Sequence, residues 1–314
     1  MKKLLFKSIF YALLLLLALE GWVRIFHLSK DNPVRFVDEY EVEKWRPKQN
    51  GYSVTGNRRQ NFSEYRINNS GFNSYREFDP SKDKVEVALV GDSFIEGFHQ
   101  HYYNSIGKKI ENEFPGIEVY EYGYAGYDMA DQLHLMNAYK EQFDLIDHVI
   151  LGVKFSNDLT RGEYAVIQSR MKLESPMYRA LREIKLLVYL QNIGALDPVK
   201  ELISKVTSGS KKKTKIEKTP EQIHQETLNY IDNFESLINS YGFDKKRFTF
   251  LLDSEHTNPV FLTYLDKNNY EYIDFAPAFG KTKKQTTLIY DKHWNNLGRS
   301  IIAEVIVEYL KGKN

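Results

Sequence analysis

The residues most able to do chemistry begin with a serine at the end of an apolar run. Val85-Glu-Val-Ala-Leu-Val90 stops abruptly in Gly91-Asp92-Ser93, and Gly97 follows four residues after the serine. A buried strand would deliver Ser93 to its C-terminal tip, where the glycines permit a sharp turn. Ligands bind at that edge of open α/β sheets, so a serine there is a candidate nucleophile for acyl chemistry. Taken alone, the same tripeptide also reads as a strand-to-helix turn in which Asp92 or Ser93 merely caps the next helix. A nucleophile needs a base, an orienting acid and donors for the oxyanion.

Eight histidines are available as the base. His27 lies beside the apolar N-terminus, and His134 and His224 fall within helical patterns. His148 opens a strand at the opposite sheet edge, and His99 and His101 read as surface residues. His293, in Tyr290-Asp291-Lys-His293-Trp294-Asn295-Asn296-Leu-Gly298, and His256, in Asp253-Ser-Glu-His256, each have an acid close by. His293 is the preferred base: it sits in a polar loop before the last amphipathic helix, which Asn295 or Asn296 could cap. Asp291 could bond its Nδ1 and leave Nε2 to take the serine proton.

Strand and helix patterns alternate from Val85 onward. Helices are expected over 103–114, 128–143, 219–241 and 297–310, with helical spacing also across 178–206. Further strands are expected over 116–123, 148–155, 246–252 and 271–275. Thr219-Pro220 and Asp128 with Asp131 are helix-start signals. Strands separated by helices imply a parallel sheet covered on both faces. Ser93, the Gly123–Gly126 loop and Asn157 would then share one sheet edge. Residues 28–82 carry turn signals and little periodicity, with a short hairpin expected over 54–66; they read as a stalk and an irregular lobe. The Lys-rich stretch 208–218, inside a helical insertion over about 160–222, reads as a solvated loop.

The chain of 314 residues has 27% charged and 42% apolar residues and a net charge of +1, which gives no electrostatic footprint for nucleic acid. It contains no cysteine, which excludes disulfides, thiol nucleophiles and thiolate metal sites. Its 22 tyrosines and 19 phenylalanines suit packing and also flat, hydroxyl-rich ligands such as sugars. Lys2, Lys3 and Lys7 stand at the start of an apolar stretch, and Leu4 to Phe26 is long enough to span a bilayer. No small-residue cleavage site follows it, so residues 1–27 are expected to be a retained anchor rather than a cleaved signal. The N-terminus would be cytoplasmic and the remainder extracytoplasmic, periplasmic or at the cell surface.

Together, Gly91-Asp92-Ser93, Gly126, Asn157-Asp158 and Asp291-x-His293 occur in the order of the four blocks of the SGNH (GDSL-type) hydrolases, and the chain from about Val85 to Lys311 resembles that family, in particular its membrane-anchored members. The resemblance implies a flavodoxin-like three-layer α/β/α domain over 83–312 that hydrolyses esters without metal or cofactor. In that family pattern Ser93 is the nucleophile, His293 the base and Asp291 its orienting acid. The oxyanion hole is the N–H of Ser93 and Gly126 with the Asn157 side-chain amide. Glu121 stands where the family commonly has asparagine, and the acid is two rather than three residues before the histidine. The implied function is removal of acyl groups, acetyl among them, from a small molecule or an extracytoplasmic polysaccharide. The same residues would also serve an O-acyltransferase, and a non-catalytic polysaccharide-binding or assembly factor is the alternative from another class.

Overall fold

The computed structural model describes residues 1–56, 59–198, 200–202 and 219–313. The chain starts with helix α1 (Lys2–Ile25), 24 residues rich in leucine, a strong helix former. Among the described residues it is the one helix long and apolar enough to cross a membrane, and nearly all of its surface is exposed.

An N-terminal lobe follows, made of two small antiparallel sheets. Strand β1 (Arg35–Val37) pairs with β2 (Glu43–Trp45), and β3 (Asn50–Thr55) pairs with β4 (Asn61–Arg66). The expected hairpin is present but begins at Asn50 rather than Val54. Asn50-Gly51, which signals a turn locally, is instead paired with Tyr65 and Arg66.

The main sheet has five parallel strands: β5 (Val85–Gly91), β6 (Ile117–Gly123), β7 (His148–Gly152), β8 (Phe248–Leu252) and β9 (Tyr272–Asp274). Their spatial order is β6-β5-β7-β8-β9, the flavodoxin-like arrangement, with the switch point between β5 and β7. Strand β5 is central, and from Glu86 to Gly91 every residue is buried, as a strand covered on both faces requires. Its side chains alternate between two cores: Ala88 and Val90 on one face, Val87 and Leu89 on the other.

Helices fill both layers. After β5 come the single turn α2 (Ser93–Glu96) and α3 (Ile106–Glu113). After β6 come α4 (Met129–Ala138) and α5 (Lys140–Phe143); the expected single helix over 128–143 breaks at Tyr139, with neither glycine nor proline to signal it. After β7 come α6 (Phe155–Asp158), α7 (Gln168–Met171), α8 (Pro176–Glu183) and α9 (Lys185–Asn192). The helical spacing over 178–206 thus divides at Ile184, and its end, with the Lys-rich stretch, lies outside the described residues. Helix α10 (Pro220–Tyr241) starts with a reciprocal capping box between Thr219 and Gln222, as its sequence announces. Helices α11 (Pro259–Lys267), α12 (Ala276–Gly280) and α13 (Asn296–Lys313) complete the chain. One face of the sheet is covered by α3 and α13 through Ile106, Ile110, Ile302 and Ile306; the other is covered by α4, α10 and α11 through Leu133, Phe234 and Phe261.

The tightest backbone contact lies where α2 crosses the tip of β6. A Cβ built on Gly123 would stand 2.0 Å from the Glu96 backbone nitrogen, so no side chain fits without moving the helix turn. Gly123→Ala is expected to destabilise the domain by about 3 kcal/mol, the upper range of overpacking costs. Gly280→Ala, where a Cβ meets nothing within 4 Å, is the matched control and should melt like wild type. Thermal unfolding of the detergent-solubilised chain, followed by circular dichroism, compares them.

Candidate active site

Strand β5 ends at Gly91, and Asp92 caps α2 by accepting a 2.9 Å hydrogen bond from the Phe94 N–H. Ser93 is the first residue of that turn, which Gly97 closes in the left-handed region at φ +69°. Asp92 also pairs with Lys154, whose ammonium lies 3.7 Å from the centroid of the Phe94 ring. Asp92 therefore shapes the turn, while Ser93 faces the sheet edge.

The Ser93 hydroxyl meets His293, not His256: Oγ lies 2.7 Å from His293 Nε2. The loop carrying His293 is pinned by an isolated bridge between Thr287 and Trp294. Asn295, rather than Asn296, caps α13 by accepting from the Gly298 N–H at 3.0 Å. On the other side of the ring, Nδ1 of His293 is hydrogen-bonded to Asp291 Oδ1. A carboxylate only accepts, so Nδ1 carries the proton and Nε2 presents its lone pair to the serine. His256 is bonded by Asp253 at 2.8 Å, but its side chain is 81% exposed.

A third partner was not legible in the sequence. His99, expected at the surface, is instead mostly buried and stacks on His293 with ring centroids 4.0 Å apart. Its Nε2 lies 2.9 Å from Asp291 Oδ2, so Asp291 accepts from two imidazoles at once. Burial lowers the pKa of His99 despite the carboxylate, which favours the neutral ring with its proton on Nε2. Burial alone would raise Asp291, but the hydrogen bonds from His293 and His99 outweigh it and hold this carboxyl well below the usual range. His99, Asp291 and His293 offer ligand atoms within 4.8 Å of one another. Both rings turn an N–H toward the carboxylate, however, which is the donor–acceptor pattern of a hydrogen-bonded relay rather than of a cation cage.

These residues line a cleft of about 570 Å³. Its other walls come from the N-terminal lobe, through Lys30, Asp31, Arg35 and Trp45, and from Asn192 at the end of α9. Nothing in the local pattern of 28–82 signals this contribution, which depends on long-range packing. Glu96 closes the floor. It is fully buried, accepts 2.6 Å from the Trp45 indole and 3.1 Å from the Ala125 N–H, and burial pushes its pKa up to about 8.

The remaining expected site residues are less directly engaged. Gly126 (φ +92°) follows Ala125, which lines the cleft, and its carbonyl accepts from Arg170. Arg170 is steered by buried Glu43 at 3.3 Å, and Glu43 also accepts from Tyr124 at 2.6 Å and Arg35 at 3.0 Å. This node ties the 123–128 loop to the N-terminal lobe. Asn157 is exposed within α6, with its side-chain oxygen 3.3 Å from the Ser156 hydroxyl; among the described residues no hydrogen bond joins it to Ser93, His293 or Asp291. Glu121 is buried, accepts from the Gly107 N–H at 3.1 Å, and interacts with the wholly buried guanidinium of Arg299 beneath Gly97.

No protein-family model matches the chain. Over 143 residues it is 24% identical to the large ribosomal subunit protein uL29m of Lodderomyces elongisporus, and the match spans 46% of each protein. Among solved structures it is similar to a member of the lipolytic protein G-D-S-L family from Veillonella parvula, with 13% identity and a TM-score of 0.40 over 72% of this chain and 98% of that one. It is also similar to the lipase/acylhydrolase from Enterococcus faecalis, with 12% identity and a TM-score of 0.40 over 73% of this chain and 96% of that one. The class of the domain, a flavodoxin-like parallel α/β/α fold with a serine at the C-terminal edge of its central strand, follows from this chain's own topology.

Glu96 gives the site a pH signature. Folded, it holds its proton up to about pH 8, whereas a free glutamate releases it near 4.5. Between those values the folded state binds more protons, so the Glu96 contribution to stability falls as pH rises. Glu96→Gln mimics the protonated form and does not titrate. Its melting temperature relative to wild type should therefore climb from pH 5 to pH 8.5; a pH-independent difference would show that Glu96 is ionised in the fold.

Proposed function

We propose that this protein is a serine esterase that removes ester-linked acyl groups. The observation that carries the reading is the unbroken series of hydrogen bonds from Ser93 Oγ through His293 to Asp291 at the C-terminal sheet edge. In this reading Nε2 of His293 takes the hydroxyl proton as Ser93 Oγ attacks the acyl carbon, and Asp291 stabilises the imidazolium that forms. The tetrahedral oxyanion is met by the N–H groups of Ser93 and Gly126. Asn157 completes the set when its exposed side chain rotates away from Ser156. Collapse breaks the ester bond, and the leaving alcohol takes the proton from His293. Water, deprotonated by the same imidazole, then attacks the acyl-serine and releases the carboxylic acid, restoring Ser93.

The wide, polar cleft with aromatic and charged walls suits an acylated carbohydrate better than a buried alkyl chain. Lys2, Lys3 and Lys7 at the start of α1 favour a cytoplasmic N-terminus, and the missing small-residue cleavage site favours a retained anchor; the catalytic domain would then lie on the extracytoplasmic side, where envelope polymers are the available substrates.

Hydrolysis of p-nitrophenyl acetate by the detergent-solubilised full chain tests this. Ser93→Ala and His293→Ala should each lose activity by on the order of 10⁴-fold or more, as expected for members of a catalytic unit. His256→Ala should stay near wild type. Equal hydrolysis by wild type and Ser93→Ala would overturn the enzymatic reading.

A further inference from the structure

Helix α8 is short and strongly two-sided. Met177, Tyr178, Leu181 and the following Ile184 recur at the spacing of one helical face, and they are 63%, 44%, 40% and 48% exposed. Leu173, just before the helix, is exposed as well. Arg182, beside that face, bonds Glu174 at 3.0 Å, and Glu174 in turn pairs with Arg35 of β1 at 3.5 Å, while Arg179 and Glu183 on the far side are exposed. The helix is thus held through Arg182 with its apolar face turned outward and its charged face open to water. Contiguous apolar surface of this kind marks a site of protein or membrane contact.

What lies against that face is indicated by α1. Glu20, an acidic residue near the end of the apolar helix, accepts from the backbone N–H groups of Lys185 at 3.0 Å and Leu186 at 2.7 Å, and so caps the start of α9. Arg24 bonds Glu20 at 2.7 Å and donates to the carbonyl of Glu183, the last residue of α8. Lys185 pairs with Asp31 at 2.7 Å. The corner between α8 and α9 is therefore fastened to the last two turns of α1. There Trp22, Ile25 and Phe26 are also exposed, at the level where interfacial aromatics are expected. A charged residue on an apolar helix is costly unless paired. Glu20 and Arg24 meet that demand by holding this corner rather than only each other.

We propose that α8 lies in the headgroup layer of the membrane that α1 crosses, with Met177, Tyr178, Leu181 and Ile184 turned toward the acyl chains. The proposal rests on reading α1 as a retained anchor. It makes α8 an interfacial helix with Arg179 and Glu183 toward water and its apolar side in lipid. Asn192 at the end of α9 lines the catalytic cleft, so the same contact fixes that cleft close to the lipid surface.

The cysteine-free sequence allows a direct test with single nitroxide labels on the full chain in phosphatidylcholine/phosphatidylglycerol vesicles. Labels at Met177→Cys and Leu181→Cys should collide more with dissolved oxygen than with a water-soluble nickel chelate, at a depth shallower than Leu14→Cys in α1. Asn239→Cys, on exposed polar surface of α10, should show the reverse. A deep Leu14 label with water-exposed labels at 177 and 181 would overturn the proposal while leaving the anchor intact. A water-exposed Leu14 label would overturn the anchor and the proposal together. Labels at 177 and 181 shielded from both reagents would mean that protein, such as a second copy of the chain, covers the face, and that too would overturn it.

Discussion

The site depends on how closely one turn of helix can lie across the end of a neighbouring strand. Gly91 and Gly123 are paired in register at the tips of β5 and β6, and α2 folds back over the second of them with no room for a methyl group. That proximity fixes Ser93 at the sheet edge, and it places Glu96 where the Trp45 indole and the Ala125 N–H reach it. Through Trp45 the N-terminal lobe is joined to the turn that carries Ser93, and through Glu43 it is joined to the loop that carries Gly126. The lobe is thus a wall of the cleft.

Around this frame, charge is handled unevenly. Asp291 is ionised and accepts from two rings, so both His293 and His99 have their orientation and tautomer set by one carboxylate. Glu96, three residues after Ser93 in α2, is held neutral by burial near neutral pH. Two carboxyls near one serine are thus driven to opposite protonation states by their surroundings. Beneath them Glu121 and Arg299 are both buried. Burial pushes the guanidinium down to about 10, against the pull of Glu121 in the other direction.

Much of the α/β domain was legible because its signals are local. Short runs rich in β-branched, aromatic or leucine residues marked the five strands, and Thr219, Pro220, Asp128 and Asp131 marked helix starts through capping chemistry that needs no tertiary partner. The preference for His293 over His256 also had a local basis, the polar loop ahead of α13. What escaped the sequence is set by contacts between distant segments. His99 reads as a loop residue until Asp291 arrives from nearly two hundred residues downstream. The break at Tyr139 coincides with the Tyr139 hydroxyl engaging Lys44 and Asp38 of the lobe, a tertiary contact with no local signature. Asn157 follows the family order, yet its amide is left exposed, because block order constrains position along the chain and not rotamer.

Only four residues lie between Ile25, the end of α1, and Lys30 in the cleft wall, a reach of at most about 18 Å. For an anchored molecule this short connection sets the kinetics as well as the geometry. In the proposed anchored esterase the cleft would stay close to the bilayer, so turnover would scale with substrate per unit area of membrane rather than per unit volume. Two-dimensional encounter would then govern the rate: an acylated chain tethered to the same bilayer would be met far more often than an identical chain free in solution, with no difference in how the cleft binds either.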